Sequence, residues 1–162
     1  MSFKRTSITS DPKAIASTPD ALDTFVPYLM NRIARRYNVG VEDKVRSKGL
    51  NVPRLRVLAA LAVEGSKSVN DLSVYAISEQ STISRLLDQM TQEGLVERKP
   101  NPNDNRSRVI SLTPLGYETY QSTFPIMLAA EADMMQGFSP AERAMALEFL
   151  QRMLNNIRQS DI

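Results

Sequence analysis

Residues 93–116 constrain the fold of this chain more than any other segment. Two short runs of β-forming residues, 95–96 and 109–112, flank the polar stretch 98–108, which has almost nothing to bury. Asn, Pro and Asp fill the middle of that stretch, and these residue types favour turns. The pattern predicts a two-stranded hairpin followed by the start of a helix.

A helix-loop-helix pattern lies directly before the predicted hairpin. Ser68, with the acidic Asp71 three positions later, is typical of a capping box and predicts a short helix. Ser78 is predicted to cap the next helix, which runs to Glu93 and ends at Gly94. The residues of this second helix predicted to point inward are Ile83, Leu86, Leu87 and Met90.

Two further helices are predicted on the N-terminal side. A long helix is expected to begin at Pro19–Asp20, because apolar residues recur after it at spacings of three and four. Asn51 is a candidate cap for a helix over 53–63, which Gly65 ends. The apolar residues are Leu22, Phe25, Val26, Leu29, Ile33 and Tyr37 in the long helix, and Leu55, Leu58 and Leu61 in the other.

Two long helices are predicted after the hairpin. Thr113 is expected to cap the first and Pro114 to occupy its first turn, and this helix should run to about Gln136. Pro125 lies inside it and is expected to kink or break it, since proline removes a backbone donor. A capping box at Ser139–Glu142 opens the last helix, which is predicted to reach about residue 158.

With these elements in this order, the chain resembles the multiple antibiotic resistance regulator (MarR) family of bacterial transcription factors. The family's wing signature is a D-x-R core, polar or basic residues, and a valine-rich strand ending in L-T-x-x-G. The matching residues are 104–106, 109–111 and 112–116, and the preceding G-L-V-x-R element is at 94–98. The resemblance, which runs from about Leu22 to the C-terminus, implies a mainly α fold with a small β-wing: a winged helix-turn-helix plus N- and C-terminal dimerisation helices.

The resemblance also implies a domain organisation. Residues 19–162 would form a single MarR-type domain, with dimerisation helices at 19–48 and 114–162 and a winged helix-turn-helix DNA-binding lobe at 51–113. Residues 1–18 are rich in Ser, Thr, Lys and Pro without periodicity, so we interpret them as a flexible N-terminal arm. The sequence leaves open whether this arm has no role or binds DNA or a partner.

The composition narrows the class of protein. The chain has no Cys and no His, which removes cysteine nucleophiles, thiolate metal sites, and the commonest general base. No Gly-rich phosphate loop is present, so we expect no enzyme, no cofactor and no metal. No apolar run is long enough to span a membrane, and the N-terminus has no signal-peptide core, which favours a soluble cytoplasmic protein without a membrane partner.

The helix predicted to begin at Ser78 carries the first candidate contacts with DNA. Short hydroxyl and amide side chains suit a helix in the major groove, and Arg85 can reach a guanine edge or a phosphate. Glu79 either meets a cytosine amino group or caps the helix. A solvated polar face is the alternative, but the helix upstream and the wing downstream favour a recognition helix. The candidate residues are Ser78, Gln80, Ser81, Thr82, Ser84 and Arg85.

The wing carries the second set of candidate contacts. The resemblance assigns Arg106 to the arginine of the family's D-x-R core and Asp104 to holding the loop. Arg108 is a further candidate, since arginines at the end of a ribbon can enter a narrow minor groove. The alternative is a charged surface hairpin, and the resemblance favours minor-groove insertion by at least one of the two arginines.

The last helix has a broad apolar arc, which favours a homodimer. In the family, the first and last helices of two subunits interlock, and an arc of this width suits burial against two neighbours. A monomeric helical bundle is the alternative. The residues of the arc are Leu147, Leu150, Leu154 and Ile157, widened by Met145, Phe149 and Met153.

The resemblance also raises the possibility of a small-molecule effector. Many family members bind small aromatic or phenolic anions between the dimerisation helices and the DNA-binding lobe. Tyr28, Arg32, Arg36 and Tyr37 on the first long helix are the candidate contacts for such an anion. Surface arginines beside core tyrosines are the plainer interpretation, and the sequence does not decide between them.

The sequence as a whole predicts a sequence-specific DNA-binding transcriptional regulator. The specific hypothesis is a homodimeric repressor of a pseudo-palindromic DNA operator, released by an aromatic or phenolic effector. The alternative is a winged-helix protein–protein adaptor that does not bind DNA. A basic wing and a polar recognition face argue against the adaptor, because protein binding does not require them.

Overall fold

The structure is a computed structural model that describes residues 21–101 and 104–157, with only the backbone at residues 21 and 104–107. The predicted arm at 1–18, the helix start at Pro19–Asp20, and residue 158 lie outside the described residues. The described chain divides after Val39 into two compact units. None of its helices is long and apolar enough to cross a membrane.

The first unit contains a helix that is interrupted where the sequence predicted none. Helix α1 spans Ala21–Thr24 and helix α2 spans Val26–Val45, with Phe25 between them outside either helix. The prediction of one continuous helix is therefore wrong. Pro27 accounts for the interruption, because it has no N–H to continue the first helix but fits well in the first turn of a new one. The Phe25 N–H instead donates to the Leu22 carbonyl at 3.2 Å.

The second unit begins within α2 and holds the hydrophobic core. Its elements in chain order are the end of α2, a 3-10 helix Arg46–Lys48, α3 Val52–Glu64, α4 Val69–Ala76, α5 Gln80–Gln92, β1 Val96–Asn101, β2 Asp104–Leu112, α6 Pro114–Met134 and α7 Pro140–Ile157. The molecule is thus mainly α with a small β-wing, as the sequence predicted. The largest fully buried side chains include Leu55, Leu58, Leu72, Ile83, Leu87, Met90 and Ile110.

Several predicted helix starts are confirmed by their capping bonds. The Asn51 side chain accepts the N–H of Arg54 at 3.0 Å at the start of α3. At the start of α4, Ser68 and Asp71 each accept the other's backbone N–H, which completes the predicted capping box. These bonds satisfy backbone donors that have no partner inside the helix. The residue at which each of the two helices begins is therefore set by its local sequence.

The hairpin pairs β1 and β2 antiparallel, with Val96 opposite Leu112 and an irregularity between Pro100 and Asn101. Lys67 extends the sheet on its other side, because its N–H and carbonyl exchange hydrogen bonds of 3.1 and 2.8 Å with Ile110. The base of the hairpin is therefore held between α5 and the segment that precedes α4.

The start of α6 packs against the base of the hairpin. The Thr113 side chain accepts the Gly116 N–H at 3.0 Å, which confirms the predicted cap, and its hydroxyl donates to the Gly94 carbonyl at 2.6 Å. Gly116 is buried, and a Cβ at this position would lie 2.0 Å from the Leu95 carbonyl oxygen. The L-T-x-x-G sequence thus provides a cap and a site of close backbone approach.

Helix α6 continues through Pro125, so of the predicted kink or break the break does not occur, and the kink stays a prediction. After it, the predicted capping box at the start of α7 is present: the Ser139 N–H donates to Glu142 Oε2 at 2.8 Å, and the Glu142 N–H donates to Ser139 Oγ at 3.3 Å. No residue of α7, which spans Pro140–Ile157, is buried in the single chain.

Candidate nucleic-acid interface

The turn between α4 and α5 sets how the second of these helices begins. Helix α4 ends at Ala76, and the next residue, Ile77, adopts a left-handed conformation with φ of 55°. The N–H of Ser78 then donates to the Ser73 carbonyl at 3.0 Å, as in the Schellman ending of a helix. The Arg56 guanidinium also donates to the Ala76 carbonyl at 3.2 Å, which satisfies a carbonyl at the end of α4.

The predicted cap of α5 is wrong by one residue. Glu79, not Ser78, occupies the capping position, and its side chain accepts no capping hydrogen bond. Ser78 belongs instead to the turn, because its backbone completes the ending of α4. The carboxylate of Glu79 therefore acts on α5 through its charge near the positive end of the helix dipole rather than through a cap bond.

Helix α5 has one fully buried side and one polar side. The four residues predicted to point inward, Ile83, Leu86, Leu87 and Met90, are all buried. Gln80, Ser81, Thr82 and Arg85 are exposed, whereas Ser78 and Ser84 are half-buried. Because the apolar side is fixed in the core, the exposed polar side chains of the first two turns are presented outward by a rigid element.

The charges at the base of the hairpin are mostly compensated within the protein. Arg98 forms an ion pair with Asp88 of α5, and Lys99 Nζ lies 2.7 Å from Glu97 Oε1. Arg108 is exposed and lies opposite Pro100 in the register. The side chains of Asp104 and Arg106 lie outside the described residues, so the predicted roles of both stay predictions.

Sequence reasoning missed Arg54, whose side chain hydrogen-bonds three other residues. Arg54 is 9% exposed, and its guanidinium makes two short hydrogen bonds to the Glu93 carboxylate, Nη1–Oε2 at 2.7 Å and Nη2–Oε1 at 2.8 Å. Further bonds reach the Gly49 carbonyl at 3.0 Å and Gln89 Oε1 at 3.3 Å. In the sequence, only the position of Arg54 among the apolar residues of α3 could have indicated that its side chain is buried.

The four predicted effector contacts all lie on α2, within the first unit. Arg32 Cζ lies 5.5 Å from the centre of the Tyr28 ring, and Arg32 Nη1 lies 3.7 Å from Asp23 Oδ1. Arg36, one turn further along, is exposed. Tyr37 is nine residues from Tyr28, which at about 100° per residue places the two tyrosines on opposite faces of the helix. Only Tyr28, Arg32 and Arg36 therefore share a face.

The apolar residues predicted to form a partner surface are exposed in the single chain. In α7, Leu154 is 60% exposed and Ile157 is 74% exposed. In α2, Ile33 is 52% exposed. The apolar faces predicted from the sequence for the first long helix and for the last helix contain further residues. Those that are also exposed are Leu22, Phe25, Val26, Met145, Leu147, Phe149 and Leu150. Apolar surface of this extent marks an interaction site more often than a free surface.

Among the side chains that the structure describes, no three of His, Cys, Asp or Glu are grouped so that they could hold a metal ion. The polar side of α5 and the hairpin beside it are the chemically distinctive features of the second unit. Together they offer the exposed hydrogen-bonding side chains of the first turns of α5 and the exposed cations Arg85 and Arg108, which are the kinds of groups that contact base edges and phosphates in protein–DNA complexes.

Comparison with known proteins supports this view of the molecule. Residues 50–107 match the model of the MarR family. Over 99 residues the chain is 32% identical to the HTH-type transcriptional repressor IacR of Pseudomonas putida. That match covers 61% of this chain and 59% of the repressor, so it spans about three fifths of each protein.

Two solved structures are similar over most of their length. A MarR-family transcriptional regulator from Silicibacter pomeroyi is 39% identical, covers 87% of this chain and 95% of its own, and superposes with a TM-score of 0.80. BpsR of Bordetella bronchiseptica is a protein whose DNA binding is regulated by 6-hydroxynicotinic acid. It is 23% identical, the match covers 80% of this chain and 92% of BpsR, and the TM-score is 0.71. The second likeness is one of fold.

Proposed function

Because the chain belongs to the MarR family of transcriptional regulators, we propose that it is a sequence-specific DNA-binding repressor that acts as a homodimer on a pseudo-palindromic operator. One observation carries this proposal: the first two turns of α5 expose polar side chains while the other side of the helix is fully buried. A helix held in this way enters the major groove as a rigid body, and its N-terminal residues meet base edges.

In this proposal α5 is the recognition helix and the hairpin is the wing. Gln80, Ser81 and Thr82 donate and accept at base edges, with Ser78 and Ser84 at the margin of the contact. Arg85 makes a bidentate contact with a guanine, since it is the only side chain of the first two turns with two parallel donors. Arg106 and Arg108 of the wing enter the adjacent minor groove, with Asp104 shaping the loop.

The proposed dimer follows from the exposed apolar faces of α2 and α7. Leucine and isoleucine side chains that are more than half exposed in the single chain, such as Ile33, Leu147 and Leu154, are stabilised by burial against a second copy. A two-fold dimer presents two recognition helices, and it therefore reads an inverted repeat with half-sites about one helical turn apart.

The proposed effector is a small aromatic or phenolic anion. Tyr28 and Arg32 lie in contact on one face of α2, with Arg36 on the same face, so ring and carboxylate groups of a ligand would find a ring and a cation there. BpsR responds to 6-hydroxynicotinic acid, an aromatic acid of this chemical kind. Such a ligand releases DNA only if it prefers the state with lower DNA affinity.

The proposal is tested by selecting duplexes from a random DNA library with the purified protein. We expect enrichment of an inverted repeat, and Arg85→Ala should weaken binding to the selected duplex by about 1–3 kcal/mol while affecting a random duplex less. Gln92→Ala, an exposed polar residue at the opposite end of α5, is the control and should bind both duplexes as the parent protein does. If the library yields no enriched sequence, the protein is not a sequence-specific DNA binder, and an adaptor becomes the better hypothesis.

A further inference from the structure

The Arg54 side chain joins two other segments, the turn before α3 and the end of α5. Its guanidinium bonds the Gly49 carbonyl after the 3-10 helix, the Gln89 side chain in the last turn of α5, and both oxygens of Glu93 where α5 ends. Arg54 itself stands in the first turn of α3, where its N–H is held by Asn51. One side chain therefore ties the far end of α5 to the start of α3.

The chemistry of this contact favours a fixed orientation. The Arg54–Glu93 pair is bidentate, which fixes the plane of the guanidinium as well as its distance from the carboxylate. The Arg54 side chain is almost fully buried, whereas Glu93 is about half exposed. Replacing a buried ion pair by apolar residues of similar size often leaves stability unchanged, although removing one partner does not. Holding an orientation is thus a role that can be separated from stability.

Glu93 lies at the C-terminal end of α5, so the orientation of the Arg54–Glu93 pair affects how that helix ends. A carboxylate at the C-terminal end of a helix is repelled by the helix dipole, and the Arg54 cation offsets this repulsion. Immediately after Glu93 the chain turns at Gly94, whose φ is 73°, and enters β1. The guanidinium consequently holds the junction from which both the proposed recognition helix and the proposed wing extend.

We infer that Arg54 is a positioning residue for DNA reading, which acts through Glu93 to set the angle of α5 and the base of the wing without touching DNA. The inference rests on the proposed function. The first turn of α5 lies thirteen residues from Glu93, about 20 Å along the helix axis. A small rotation at the anchored end therefore displaces the reading side chains at the other end and alters the match to base edges more than the attraction to phosphates.

The test compares two duplexes of equal length: the inverted repeat that the parent protein selects from random DNA, and a shuffled sequence. The key variant is the double substitution Arg54→Met with Glu93→Met, which removes both charges. We expect this variant to keep the thermal midpoint of the parent protein and to bind the shuffled duplex with an affinity within about threefold of the parent's. Its affinity for the selected duplex should fall by about tenfold or more, a loss typical of one mismatched base pair. Arg54→Lys keeps the positive charge but cannot form two parallel hydrogen bonds to the Glu93 carboxylate. This variant should lose part of the preference for the selected duplex over the shuffled one.

The controls separate the possible outcomes. Arg46→Met with Asp43→Met removes an exposed ion pair of the same type and should leave discrimination unchanged. If the double variant at 54 and 93 does not fold, Glu93→Gln, at a half-exposed position, provides the measurement, with a smaller loss expected on the selected duplex only. A folded variant that discriminates as the parent does, or that loses affinity for both duplexes equally, overturns the inference. Failure of the parent protein to select any duplex overturns the proposed function instead.

Discussion

The backbone of Gly116 lies so close to Leu95 that a Cβ on Gly116 would stand 2.0 Å from the Leu95 carbonyl oxygen. The obstacle is backbone, which cannot move aside as a flexible side chain would. This contact joins the first turn of α6 to the chain between α5 and β1, so the base of the proposed wing depends on the absence of a side chain.

Gly116→Ala should therefore destabilise the protein by about 1–3 kcal/mol or more, the range for overpacked sites. Gly40→Ala is the matched control: this glycine lies inside α2, and an added Cβ meets nothing within 4 Å. That substitution should stabilise by about 0.5–1 kcal/mol, because alanine favours the helix. Denaturant unfolding of both variants measures the difference, and equal stabilities would contradict the assigned contact.

The wing arginines should contribute to DNA affinity mainly through charge. Arg106→Ala and Arg108→Ala should each weaken binding to every duplex and lower the slope of log K against log salt by about one unit. If Arg106 occupies a narrow A·T-rich minor groove, its loss should be larger on the selected duplex. Lys99→Ala is the control on the same hairpin, because Glu97 already pairs with its ammonium group. Wild-type slopes for both arginine variants would remove the wing from the mechanism.

Ile77→Gly should stabilise the protein. Ile77 has a φ of 55° and is 75% exposed, so its side chain contributes little packing while its backbone is in the left-handed region. That conformation costs an L-residue about 1–2 kcal/mol, whereas glycine loses about 0.5–1 kcal/mol of chain entropy on folding. The expected net gain is up to about 1 kcal/mol by denaturant unfolding. Ile77→Ala keeps the Cβ and should gain nothing, and an equal gain for both variants would point away from backbone strain.

The capping box of α7 should be sensitive to acid. The Ser139 backbone N–H, and then its hydroxyl, hydrogen-bond the Glu142 carboxylate and hold its pKa below the usual value of 4.5. Because the folded pKa is lower than the unfolded one, the box contributes stability above about pH 4.5 and loses it as the pH falls through the folded pKa. The difference in thermal midpoint between the parent protein and Glu142→Gln should thus be present at pH 7 and shrink below pH 4.5. A difference that does not change with pH would show that the charge of Glu142 is not involved.

Local patterns were sufficient to predict most of the elements. The caps at Asn51, Ser68 and Thr113 and the hairpin are encoded within a few residues, and each of these predictions is confirmed. Ser78 was assigned wrongly because two local signals compete there. The ending of α4 uses the Ser78 backbone, which moves the start of α5 on by one residue.

The effect of proline depended on what lay beside it. Pro27 lies in the first turn of α2, where a backbone N–H has no partner inside the helix, so a proline there gives up no helical hydrogen bonds. Pro125 lies within a helix of 21 residues, where a break would give up more of them than the single bond that proline removes. The sequence shows where each proline lies, but it does not show how many hydrogen bonds a break in the helix would remove.

The Arg54 contacts illustrate what the sequence does not reveal. Glu93 is 39 positions away along the chain, and nothing in either neighbourhood indicates that the two side chains meet. The same limit holds for the proposed reading face: which polar residues of α5 are exposed depends on how its apolar side is buried, and α5 packs against α4 and β1.

Helix α7 is amphipathic, yet none of its residues is buried in one chain. A helix in water gains most of its stability from packing, so in the proposed dimer this segment is secured only while a second copy covers it. Mass action then makes the integrity of the C-terminal region depend on protein concentration. Newly synthesised or diluted chains would expose this region to proteases, whereas paired chains would be protected, so the rate of turnover would fall as the protein accumulates.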